Sequence, residues 1–189
     1  MLSLISNYRV DFLQNFFVFL NYTIYLYLIC LVAYFFTKRK RRESVRVFFN
    51  AIVGGILVYF LKYLVGRPRP EFSVIKKIDP SFPSSHSFFS FMCVRFMVFR
   101  KKVKALSYFY LCFLIPFSLL YTSIHYPSDI IAGSLLGLTL PSILNEERCL
   151  KILHVFILLW RKVRKKISKN FTTISKKMVE RLIKEIKKE

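Results

Sequence analysis

Three short stretches carry residues able to act together on a phosphate. Lys62 to Pro70 reads K-Y-L-V-G-R-P-R-P, Pro83 to His86 reads P-S-S-H, and Ser118 to Gly133 contains H-Y-P-S-D. His125 and Asp129 stand four positions apart in the last, between two strongly apolar runs. Ionisable residues beside membrane-length apolar runs are costly and usually have a task or a partner. Lys62 and Arg69 offer cations: arginine presents a planar fork to phosphate, lysine a point charge. Pro83 suits the first position of a helix. Ser84 and Ser85 then fall in its first turn, where free N–H groups and the helix dipole attract an anion. Pro127 opens a second helix in the same way, with His125 just before it and Asp129 in its first turn. A carboxylate one turn away holds an imidazole in one tautomer and stabilises its cation. Two histidines, a carboxylate and several cations suit phosphoryl transfer, which depends on positioning and charge stabilisation. One histidine can attack phosphorus and the other can protonate the leaving oxygen. This chemistry calls for no metal and no cofactor, and the sequence holds no carboxylate cluster to bind a metal.

The elements that must position these residues are read from the apolar runs. Phe12 to Phe36 is long enough for a spanning helix, which needs ~20 residues. Val47 to Leu61 is a second apolar run, with Gly54 and Gly55 allowing close packing. Gly66 to Phe82 is a proline-punctuated loop. Ser84 to Phe99, Ala105 to Ile124 and Ile130 to Leu144 give three more helices. Pro116 should kink or open the fourth. Gly133 and Gly137 have the small-xxx-small spacing of close helix contacts. The expected fold is all-α, a polytopic membrane bundle of about five transmembrane helices. Residues 1–147 are expected to form the transmembrane domain that carries the three polar stretches, and residues 148–189 a basic amphipathic cytoplasmic tail. In that tail Val163, Ile167, Phe171, Ile174, Met178, Leu182 and Ile186 recur at helical spacing, as in a helix lying on an anionic membrane surface.

Composition excludes other classes. The 189 residues are 54% hydrophobic yet carry a formal net charge of +21. Mean hydropathy is +0.42. A basic soluble protein would not be so apolar, whereas a membrane protein with basic loops would. The charge lies on the flanks of apolar runs, which argues against nucleic-acid binding. Cys30, Cys93, Cys112 and Cys149 lack metal-ligand spacing and read as small core residues. No cleavable signal peptide is expected. The basic clusters at 38–46, at 100–104 and in the tail should be cytoplasmic. Five spans then place all three polar stretches on the opposite, non-cytoplasmic side of the cell membrane.

In order and spacing, K-x6-R-P, P-S-S-H and H-Y-P-S-D resemble the phosphatidic acid phosphatase type 2 superfamily over Lys62 to about Gly137. That family includes membrane lipid phosphatases and polyprenyl diphosphate phosphatases, and shares a helical core with vanadium haloperoxidases. The resemblance implies His125 as nucleophile, Asp129 as its orienting partner and His86 as general acid. It implies Lys62, Arg69, Ser84 and the Ser85 N–H as phosphate ligands. Three departures stand out. Ser85 replaces a glycine. Leu119 stands where the family places a phosphate-binding arginine, and losing one such donor costs about 100- to 1000-fold in rate by analogy with oxyanion holes. The family core also usually has six helices rather than five.

Arg67 either fills that gap as a substrate-binding cation or is an ordinary interfacial anchor. Glu71 and Asp79 read as solvated loop charges, His154 as interfacial and Trp160 as a membrane anchor. The expected function is metal-independent hydrolysis of a lipid phosphate monoester or diphosphate through a phosphohistidine. Polyprenyl diphosphate and phosphatidate-like lipids are the expected substrates. The rivals are a catalytically weak relative that binds lipid phosphates, favoured by Leu119, and a small transport or scaffold protein. The expected partners are the substrate and membrane lipids, with an anionic leaflet under the tail.

Overall fold

The computed structural model describes residues 10–97 and 101–145, with scattered helical residues from 147 to 164. Contacts divide the chain into two compact units, Met1–Glu146 and Glu147–Glu189. The first is a bundle of α1 (Asp11–Thr37), α2 (Arg41–Val65), α3 (Ser85–Arg95), α4 (Lys101–Phe109), α5 (Ile115–Tyr121) and α6 (Pro127–Ile143). A π-helical turn, Tyr110–Leu114, joins α4 to α5 as one rod. The second unit's described residues are helical, and Glu147 pairs with Lys151 at 3.0 Å. The amphipathic pattern expected from Val163 to Ile186 lies outside the described residues.

Three of the described helices are long and apolar enough to cross a membrane: Asp11–Thr37, Arg41–Val65 and Val103–Tyr121. Only one stripe of α1 is buried, formed by Phe17, Leu20, Asn21, Ile24, Leu31 and Phe35. Phe12, Phe19, Leu26 and Ile29 on its other faces are exposed. A helix apolar all round belongs in lipid or in a large core. This bundle leaves those outer faces uncovered, so lipid is the fitting surroundings. The expected third and fifth helices are shorter, with 11 residues in α3 and 17 in α6. At 1.5 Å per residue they rise only about 17 and 26 Å, short of a ~30 Å hydrocarbon core.

The boundaries correct several expectations. Helix α2 begins at Arg41, so Arg41, Arg42 and Arg46 sit within it rather than in a preceding loop. Arg39, at φ 57°, turns the chain just before, and long cationic side chains reach outward from the helix end. Pro83 lies outside α3. Ser84 is its N-cap and its Oγ accepts the Ser87 N–H at 3.3 Å, because a serine oxygen satisfies an orphan donor as proline cannot. Pro116 falls in the first turn of α5, directly after the π-helical turn. Its missing N–H removes a regular helical bond, and the wider turn takes up that break. Cys93 is buried as expected, but Cys30 is exposed.

Helices α3 and α6 pack backbone to backbone. A side chain at Gly133 would run into the Ser84 carbonyl oxygen, and one at Gly137 into Phe88 O and Met92 N. Small residues let helices approach this closely. The helices are thus held with their N-termini side by side. Around them Phe88, Met92, Val58, Leu111, Ile115 and Leu119 are fully buried in the core.

Candidate active site

Four element ends meet at one end of the bundle. They are the last turn of α2, the N-termini of α3 and α6, and the segment between α5 and α6. The Ser84 N–H donates to the Asp129 carbonyl at 3.0 Å, tying the two N-termini together. The imidazoles of His86 and His125 stand 6.3 Å apart, centroid to centroid. All three polar stretches are therefore brought together.

Gly66 ends α2 with a left-handed φ of 62°, its N–H returning to the Lys62 carbonyl at 2.9 Å. A glycine takes that conformation without a steric penalty. Behind the turn, the Lys62 side chain lies buried beneath the loop. Its Nζ pairs with Asp79 Oδ2 at 3.0 Å and donates to the Pro80 carbonyl. Arg69 uses its whole fork. Nη2 pairs with Asp79 Oδ2 at 2.9 Å, Nε donates to Asp79 O at 2.9 Å, and Nη1 donates to Ile124 O at 2.9 Å. Asp79 is thus no solvated loop charge. It is shared by both cations of the first stretch and fixes the loop across them. Burial pushes its carboxyl up, but Lys62 and Arg69 outweigh this and hold it below the usual carboxylate range. A lone aspartate in a polar loop gives no periodic signal, and only the fold reveals its partners.

His125 Nδ1 faces Asp129 Oδ2 at 3.5 Å, with both side chains buried. A histidine–carboxylate contact at this distance can tighten when a ligand binds. Asp129 Oδ2 also accepts the Tyr126 N–H at 3.0 Å, which fixes the carboxylate at the start of α6. Burial pushes the His125 imidazole down to about 4, with Arg69 and Lys62 acting the same way against Asp129. It is therefore neutral at pH 7. With the Nδ1 proton turned to Asp129, Nε2 carries the lone pair. Neither nitrogen of His86 has a hydrogen-bond partner among the described residues. Its ring packs edge-on against Tyr25 at 5.5 Å.

Arg67 stands on the far side of Asp129. Its Nη1 pairs with Asp129 Oδ1 at 2.8 Å and donates to Ser128 Oγ at 2.6 Å. Its guanidinium lies 4.1 Å from the Tyr126 ring centroid. Leu119 is fully buried among apolar side chains. One more cation reaches the site. Lys77, in the loop before α3, lies 5.5 Å from the Tyr22 ring, which packs edge-on to His86 at 6.5 Å. The sequence offered no signal for Lys77 beyond its charge. Among the described residues, no group of three or more His, Cys, Asp or Glu is placed to hold a metal ion.

The PAP2 superfamily model matches residues 43–144, more than half of the chain. The chain belongs to the PAP2 superfamily. The bacitracin transport permease protein BcrC of Bacillus licheniformis is 27% identical over 79% of this chain and 80% of its own. LpxE of Aquifex aeolicus shares the fold, with TM-score 0.65 and 26% identity over 76% of this chain and 91% of its own. So does a transmembrane PAP2-type phosphatidylglycerolphosphate phosphatase from Bacillus subtilis, with TM-score 0.65 and 22% identity over 76% of this chain and 80% of its own. Family, fold and apolar helices together support a membrane lipid phosphatase.

Proposed function

We propose that this PAP2 protein hydrolyses a lipid phosphate monoester or diphosphate through a phosphohistidine, without a metal. The observation that carries the reading is the pairing of His86 and His125 beside Asp129 and two buried cations. His125 Nε2 attacks phosphorus, and Asp129 holds its Nδ1–H and stabilises the imidazolium that forms. His86 gives a proton to the leaving oxygen, then takes one from the water that cleaves the P–N bond. Lys62, Arg69, Ser84 and the Ser85 N–H bind the phosphoryl oxygens. Ser85 N–H is among the orphan donors at the start of α3, where the dipole favours an anion. Arg67 acts from the Asp129 side.

The lipid part of the substrate has room beside this centre. A hollow of about 780 Å³ lies among α1, α2 and α3, lined by Tyr25, Ile56, Tyr59, Tyr63, Ser85 and Phe89. Ser85 belongs to both the hollow and the polar centre. The helices cross the cell membrane in several passes with the site on the non-cytoplasmic side, and the basic tail rests on the anionic cytoplasmic leaflet.

Phosphate release from a panel of lipid phosphates by detergent-solubilised protein, with and without a strong chelator, tests the reading. Release that persists on chelation is expected. Loss on chelation with recovery on adding Mg²⁺ would replace the metal-independent mechanism. Leu119 favours one rival, a protein that binds lipid phosphates without turnover; binding with no release would establish it.

A further inference from the structure

The catalytic reading above leaves Lys77 without a role, although its placement is specific. Its neighbour Lys76 is exposed, while Lys77 is half-buried with its ammonium against Tyr22. Tyr22 in turn packs on the His86 ring. Of the charged groups acting on His86, Lys77 is the strongest, ahead of Arg69 and Lys62. The principal charges acting on His125 are instead Arg69, Lys62 and Asp129. Lys77 therefore belongs to the His86 side of the centre. The cations divide accordingly. Lys62 and Arg69 are bound to Asp79, and Arg67 is bound to Asp129 and Ser128. Lys77 is within electrostatic reach of Arg69, Asp79 and Lys62, and its ammonium stands over an aromatic face. Such a cation–π contact holds an ammonium at ~0.5–2 kcal/mol, loosely enough to be exchanged for an anion.

His86 is the group that meets the leaving oxygen, so a cation on its side meets the leaving group. We propose that Lys77 is a specificity-determining residue of this site, set to receive a leaving group that is itself a phosphate. The inference rests on the phosphatase reading and narrows its substrate class to lipid diphosphates. When His125 Nε2 attacks the terminal phosphorus of a diphosphate, the P–N bond forms and the bond to the bridging oxygen breaks. The electron pair stays on that oxygen, which takes the His86 proton, and a lipid monophosphate anion departs beside the Lys77 ammonium. Water then cleaves the P–N bond, its proton returning to His86, to give inorganic phosphate and free imidazole. A lipid monophosphate presents the opposite demand. Its leaving group is an alkoxide that takes the His86 proton and carries no phosphate for Lys77 to bind.

The test compares farnesyl diphosphate with farnesyl monophosphate, which share one hydrocarbon tail, in detergent micelles with the full chain. Lys77→Gln and Lys77→Met remove the charge by different routes, so that misfolding of one leaves the other to report. Lys77→Arg keeps the charge. The neutral variants should lower kcat/KM for the diphosphate by about tenfold more than for the monophosphate, the scale of ~1.4 kcal/mol. Lys77→Arg should restore most of the difference. Equal losses on both substrates would mark a structural role and overturn the inference alone, as would unchanged turnover of both. A wild-type protein that releases phosphate from neither overturns the phosphatase reading and this inference with it.

Discussion

The two ends of the bundle both carry cations, and they use them in opposite ways. At one end Arg41 and Arg42 are exposed, and Arg46 makes a 3.6 Å pair with Glu43 and a 3.3 Å bond to the Pro141 carbonyl. At the other end the Lys62 and Arg69 side chains are only 2% and 8% exposed, and both are held by Asp79 at 3.0 and 2.9 Å. Exposed charges are screened and gain little from their partners. Buried ones are costly to desolvate and persist where geometry and further hydrogen bonds compensate. The same residue types thus serve as surface charge at one end and as fixed electrostatics at the other.

The largest effect should come from removing His125, the proposed nucleophile at the buried end. His125→Ala should abolish turnover and any acid-labile phosphoenzyme. The fall should approach a million-fold, the scale of losing a catalytic nucleophile. His86→Ala should cost about 100- to 10,000-fold and weigh most on poor leaving groups. Rapid-quench detection of phosphoenzyme reads both. A fully active His125→Ala protein would remove the covalent step. The pH profile sharpens this. Burial lowers the His125 pKa to about 4, so the attacking neutral form persists as pH falls from 7. The acid limb of phosphoenzyme formation should lie near pH 4 rather than near the ordinary histidine value of about 6.5. Folding stability should meanwhile fall across that window, because the unfolded chain takes up a proton that the folded histidine still refuses.

Asp79 tests what holds the buried cations. Asp79→Ala leaves Lys62 and Arg69 without their carboxylate. Breaking a fully buried pair costs ~3–5 kcal/mol. Asp79 is itself 26% exposed, so a loss of about 2–3 kcal/mol is expected from a thermal melt. Its contribution should fade as pH falls through the ordinary carboxylate range, since its folded pKa lies lower. Unchanged stability would mean that solvent or backbone groups alone support the cations. Gly133→Ala should cost about 1–3 kcal/mol, because its methyl meets the Ser84 carbonyl across the α3–α6 contact.

The three polar stretches that meet at one end of the bundle were legible in the sequence because they come in short runs with fixed spacing. Pro127 marked the start of α6, and that alone put His125 and Asp129 at one helix end. The glycine pair marked the α3–α6 contact. Apolar length located the rods, although it overstated α3, which ends at Arg95 rather than Phe99. Tertiary partners of isolated charges were not legible. Asp79 and Lys77 sit in a loop without period, and their meaning depends on where Gly66 and the prolines turn the chain. Arg67 shows the same limit from another direction. It lies two residues from Arg69, yet the two guanidiniums face different carboxylates.

The smallest expected effect belongs to the exposed end. Arg46 is held there by Glu43 at 3.6 Å, the Pro141 carbonyl at 3.3 Å and the Phe96 ring at 5.3 Å. Each is individually weak. An i,i+3 pair contributes ~0.2–0.5 kcal/mol and a cation–π contact ~0.5–1 kcal/mol, here from a side chain that is 24% exposed. Among the described residues, no contact of Arg46 leads to the histidines at the opposite end. Arg46→Ala should therefore lower stability by only about 1 kcal/mol and leave turnover within about twofold, since distant sites act independently. A melt and a phosphate-release assay on the same preparation measure both. A loss of turnover as large as that of His86→Ala, in a folded protein, would mean that the two ends are coupled through α2 and that the cations at the far end are more than surface charge.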